Sequence, residues 1–188
     1  LMVGALGTLG VLIEISLIHR LTVFLGHPTY SFVIVLFAIL LTSGLGSLWS
    51  ERLSLSQLPW LLGVIVALVG VVATTVYDQL IDWMWLGFAY RVAASLLLLA
   101  PIGFLLGMCF PLGIRSASRT HEHLVPWAWA INGVFSVFAA AASLVIAINF
   151  GLKAMMLVGA ACYLFNLALM LSGATPATHT RPATLPAA

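Results

Sequence analysis

Residues 29–49 read TYSFVIVLFAILLTSGLGSLW, with no charged side chain among them. The apolar positions follow neither the alternation of a half-buried strand nor the one-sided stripe of a surface helix. A bilayer core of about 30 Å is crossed by about 20 such residues in a helix. The stretch therefore reads as a membrane span. Working outward, similar runs extend over Leu1 to Leu25, Leu58 to Tyr77, Leu86 to Phe110, Pro126 to Phe150 and Leu152 to Leu171. With Thr29 to Trp49 they make six expected spans in an all-α, polytopic bundle over residues 1–172. A Pro/Thr/Ala-rich tail, expected to be flexible, follows at 173–188. Strands of a closed barrel would alternate apolar and polar over about ten residues, and these runs do not alternate.

Composition agrees with that reading. Of 188 residues, 63% are hydrophobic and 6% charged, against roughly 45–50% and 25% in soluble domains. Seven basic against five acidic residues give a net charge of +2, which leaves no basic stripe for nucleic acid. Cys109 and Cys162 both lie in apolar runs, so neither a disulfide framework nor a cysteine metal site is expected. No basic segment precedes the hydrophobic start at Leu1, which does not read as a signal peptide. The chain is expected to begin in mid-protein.

Punctuation falls between the spans. Gly26-His27-Pro28 separates the first two, and Pro28 suits a first helical turn. Pro101 should kink the fourth, and 111–125 reads as a loop. Trp49, Trp60, Trp83, Trp85, Trp127 and Trp129 lie near span ends, as an interfacial aromatic belt requires. Six spans place both termini on one face, with Arg52, Arg115, Arg119 and Arg181. Arg20, Lys153 and nearby Arg91 fall at the other face, so the basic bias points to cytoplasmic termini. Small residues should mediate helix contact: Gly4, Gly7 and Gly10; Gly44 and Gly46; Gly103-x-x-x-Gly107; Ala139 to Ala142.

The chemistry-bearing candidates are few. Glu14 lies inside an apolar run, where an acid costs at least about 2.5–3.5 kcal/mol and needs a partner or a wet cavity. Counting residues inward places Arg91 in the same leaflet, so a Glu14–Arg91 ion pair is expected. His19, Arg20 and His27, with Asp78 and Asp82 in the 78–85 connection, extend this into an intramembrane polar cluster at the outer face. Such a cluster could serve a proton relay or a cationic ligand, or simply fix helix packing. His121 and His123 flank Glu122, a weak metal signal that lacks further ligands. Asn132, Asn149 and Asn166 should hydrogen-bond between helices. No catalytic set is recognisable, and no cofactor is assigned.

Several strings also resemble a known family. Ile13-Glu14-Ile15 through Arg20, then Phe24-Leu25-Gly26-His27-Pro28-Thr29-Tyr30, are followed by Gly44-Leu45-Gly46-Ser47. Phe110-Pro111-Leu112-Gly113-Ile114-Arg115 and Pro126-Trp127-Ala128-Trp129-Ala130-Ile131-Asn132-Gly133 complete the series. Together they resemble the C-terminal membrane module of bacterial spermidine synthase-like (polyamine aminopropyltransferase-like) fusion proteins. His19 stands where that pattern more often has glutamine. The resemblance implies a bacterial inner-membrane location. It also implies a synthase-like catalytic domain, related to enzymes using adenosylmethionine-type cofactors, upstream of residue 1. This chain would then be a non-catalytic module that anchors or binds partners: the bilayer, other membrane subunits or that upstream domain. The alternatives are a transporter-like bundle for a small, cationic solute, suggested by Glu14, Asp78 and Asp82, and a cofactor-holding subunit, suggested by His19 and His27.

Overall fold

The computed structural model describes residues 2–120, 123 and 125–172, and side chains from Gly10 onward except at 76–78, 81 and 120. Every regular element among them is helical. Helix α1 spans Met2–Leu25 and α2 spans Pro28–Ser50. A single 3₁₀ turn, Leu55–Gln57, leads into α3, Leu58–Val71. A π turn at Val72–Val76 joins α3 to a short α4, Tyr77–Asp82. Helix α5 runs over Phe88–Thr120 and α6 over Val125–Leu171. Among the described residues, four stretches are long and apolar enough to cross a membrane: Pro28–Ser50, Leu55–Thr75, Phe88–Arg119 and Val125–Leu171.

Three expectations need correction. Six separate spans were expected, but the last two form one helical run, α6, so the described residues make five rods. Gly151 interrupts that run with φ 83° and ψ 170°, a region essentially reserved for glycine. Leu12, Ala139 and Met155 share one buried cluster. In a straight helix Ala139 and Met155 would lie about 24 Å apart, so α6 must bend sharply at Gly151 to bring both to Leu12.

The second correction concerns α5. It does not stop at Phe110; it continues through Pro101 and Pro111 to Thr120, so the predicted 111–125 loop is mostly helix. The added turns are held from outside, because Arg115 Nη1 donates to the Ser50 and Leu53 carbonyls, at 2.9 and 3.3 Å. Third, Asp78 and Asp82 lie on α4 and not in a loop. The π turn before them contains Thr74 and Thr75, whose hydroxyls donate to the Gly70 and Val71 carbonyls. Such back-bonding competes with the regular ladder and favours a bulge.

The core is a continuous apolar cluster that includes Ile13, Leu17 and Leu21 of α1, Leu62 and Ile65 of α3, Leu99 and Ile102 of α5, and Met156 of α6. All six tryptophans are exposed, the outward placement that lipid-interface anchoring needs. The two most extensive pairings are α1 with α6 and α2 with α5.

The α2–α5 contact is made by glycine. A Cβ on Gly107 would meet Ser43 backbone, with the carbonyl carbon at 2.6 Å, and one on Gly46 would meet Phe104 backbone. One on Gly103 would meet the Thr42 hydroxyl, with Ile39 Cα at 3.2 Å. The Gly103-x-x-x-Gly107 pattern and Gly46 thus let two backbones touch, as expected where lipid supplies no hydrophobic drive. Gly44 has open space around it and takes no part.

Candidate functional site

Two polar regions stand at opposite ends of α5. At the Gly26 end, α1 stops because Gly26 takes φ 82°, its N–H reaching back to the Thr22 carbonyl at 3.0 Å. His27 is the N-cap of α2, and its Nδ1 accepts from the Thr29 N–H at 3.2 Å. The His27 ring tilts against Tyr30, and Tyr30 against Phe88. Into this turn comes Arg91, whose Nη1 donates to the Phe24 carbonyl at 3.0 Å. The final carbonyls of a helix lack intrahelical donors, so a guanidinium there satisfies a bond and complements the helix dipole.

The Glu14–Arg91 pair is therefore not what the structure forms. Phe24 lies ten residues beyond Glu14, about 15 Å along the helix, and Arg91 is occupied at Phe24. Glu14 is half-buried on the flank of the α1 core stripe. His19 is exposed and its Nδ1 donates to the Ile15 carbonyl at 2.8 Å. Arg20 is buried within the bundle at 3% exposure. With about 100° between successive residues, Glu14, His19 and Arg20 point in three different directions. His27 and Arg91 both lie at the Gly26 turn, and Asp82 is exposed on α4. The Asp78 side chain, His121, Glu122 and Arg181 lie outside the described residues; His123 and Lys153 are exposed.

Polar contact between helices also differs from expectation. Asn149 and Asn166 donate to carbonyls of their own helix, Val145 and Cys162. The Oδ1 atoms of Asn132 and Asn166 are buried without a donor. Short hydroxyls also link helices through the backbone. Ser31 of α2 donates to the Ile18 carbonyl of α1 at 2.7 Å, and Ser16 of α1 to the Leu152 carbonyl at 3.2 Å. Ser16 and Ser31 are fully buried.

The second region, at the Arg115 end, was not anticipated as a site. Arg115 closes the end of α2, and two residues beyond α2 the Arg52 guanidinium lies over the Trp49 ring, 4.6 Å from its centroid. Trp49 itself leans on Phe104 of α5. On one side of Trp49 is a groove of about 370 Å³ bounded by Leu45, Leu48, Arg52 and Phe104. On the other is a cavity of about 180 Å³ bounded by Leu53, Trp60, Leu61, Leu105 and Met108. The three-residue spacing of Trp49 and Arg52 at a helix end was the available signal, since such residues share a face.

A third concavity, about 360 Å³, lies along Phe138, Ala141, Ala142, Val145 and Ile146 of α6. It belongs to the least buried of the four candidate spans. Comparison with family models, with curated proteins and with solved structures finds no match to this chain.

Proposed function

We propose that this chain is a non-catalytic integral membrane module that anchors and binds partners within the bilayer, in a bacterial inner membrane. In this reading α6 crosses twice, reversing at Gly151, so that with α1 the module has six crossings and cytoplasmic termini. Arg52, Arg115 and Arg119 then share the cytoplasmic face.

One observation supports partner binding above all. The first arm of α6 is mostly exposed, with Val134, Val137, Phe138, Ile148 and Phe150 around the small side chains of Ala140 and Ala141. Small residues allow a second helix to approach closely, and the Phe138–Ile146 concavity offers a place for its side chains. The resemblance to the membrane module of spermidine synthase-like proteins suggests the kind of assembly: a larger protein whose catalytic domain is tethered by these helices.

Site-specific photo-crosslinking in native membranes tests this reading. A photoreactive residue at Ala141 is expected to give a discrete protein–protein adduct. The same residue at Leu97, which is 78% exposed on α5, should give lipid adducts only. Lipid adducts alone at both positions would remove the partner surface.

A further inference from the structure

We infer that the Trp49–Arg52 region is a binding site for an anionic phospholipid, with the headgroup phosphate on Arg52 and the acyl chains in the recesses beside Trp49. The inference requires membrane insertion but not the partner reading. It rests on the coincidence of three features at one helix end. The Arg52 side chain is exposed and held over Trp49 at 4.6 Å, so its planar cation is positioned in advance. Cation–π stacking orients a guanidinium while leaving its edge donors available, and that edge can take two phosphate oxygens in parallel.

Beneath the cation the surface is concave and apolar. The groove of about 370 Å³ has Leu45, Leu48 and Phe104 as its walls, with Arg52 as the single charged member of its lining. Trp49 divides it from the cavity of about 180 Å³ that continues along Leu61 and Met108. A cation on the rim of the groove, with a second recess across Trp49, matches one headgroup carrying two chains. A soluble anion has nothing to place in the recesses, and a zwitterionic lipid brings a second cation towards Arg52. Glu51 is the neighbouring carboxylate; it is exposed and lines neither recess. Arg115 keeps the local balance positive, with one amino group on the Ser50 and Leu53 carbonyls. Basic pockets between membrane helices recognise anionic headgroups by this chemistry.

Native mass spectrometry of the purified full chain in detergent tests the inference, with phosphatidylglycerol, phosphatidylcholine and inorganic phosphate as probes. Phosphatidylglycerol should be retained over phosphatidylcholine. Arg52→Gln should weaken phosphatidylglycerol binding about fivefold, the worth of one basic side chain at an anionic surface, and leave phosphatidylcholine unchanged. Arg119→Gln, remote from the recesses, should have little effect. Leu48→Trp fills the groove at a position that is already 69% exposed and retains Arg52, so it should also reduce phosphatidylglycerol binding. Equal retention of the two lipids, equal loss in Arg119→Gln, or no loss in Leu48→Trp overturns the site. Displacement of the lipid by inorganic phosphate at equal concentration would assign it to a free anion instead.

Discussion

Replacing Gly107 by alanine tests the glycine contact between α2 and α5 most directly. The new methyl carbon would lie 2.6 Å from the Ser43 carbonyl carbon, with the carbonyl oxygen nearer still. Carbon atoms pack at about 3.5–4.0 Å, so the two backbones must separate by about 1 Å. Neither neighbour is the end of a flexible side chain, so the strain spreads along both helices. Overpacking of this kind costs about 1–3 kcal/mol. Alanine also gains up to about 1 kcal/mol in helix propensity over glycine, which partly hides the loss. Gly44→Ala removes that ambiguity, because it makes the same propensity gain in open space. The difference between the two variants then isolates the clash.

Gly46→Ala, against Phe104 backbone, should behave like Gly107→Ala. Gly103→Ala should cost less, because its nearest neighbour is the Thr42 hydroxyl, which can rotate after giving up its 2.6 Å bond to the Ala38 carbonyl. Reversible unfolding in mixed micelles, titrated with a denaturing detergent and followed by tryptophan fluorescence, gives all four values. A Gly107→Ala variant within about 0.5 kcal/mol of Gly44→Ala would refute backbone contact between α2 and α5, since independent sites agree to about that margin.

Three further outcomes are expected. Gly151→Ala should lose about 1–3 kcal/mol in the same titration, because a side chain strains the φ 83° backbone even though space is open there; a loss below this range would count against the sharp bend. Ser31→Ala should cost about 0.6 and at most about 1.7 kcal/mol by removing the hydroxyl bridge to Ile18, and an unchanged midpoint would argue against that bridge. Arg91→Gln should lose about 0.3–2 kcal/mol as the cap on Phe24 disappears. A double-mutant cycle with Glu14→Gln should give a coupling no larger than about 0.5 kcal/mol, whereas larger coupling would restore the ion pair.

The sequence revealed the helices well because hydrophobic length is set by the bilayer and not by tertiary detail. Thr29–Trp49 was expected and Pro28–Ser50 is found; the Gly26-His27-Pro28 turn also lies where its residue types place it. The glycine contact was legible in kind, since Gly103-x-x-x-Gly107 predicts close approach, but not in partner. Side-chain charge alone pairs Glu14 with Arg91, but every helix end also presents backbone carbonyls without intrahelical donors. Phe24 and Ser50 offer those carbonyls, and Arg91 and Arg115 take them. Likewise, Pro111-Leu112-Gly113 reads as a loop when proline is weighed without the external bonds that hold α5 together beyond it. Arg20 was legible as a member of a polar cluster at the outer face, but its burial depends on helical phase and packing, which a count of residues does not give.

The pairing of α2 with α5 has a mechanical consequence. Backbones in contact at Gly46, Gly103 and Gly107 leave no lubricating layer of side chains, so the two helices translate as one piece. Helix α1 is joined as broadly to α6, with α3 packed against α6. The two pairs share one continuous core, and Ser31–Ile18 and Arg91–Phe24 are polar bridges between them near the Gly26 turn.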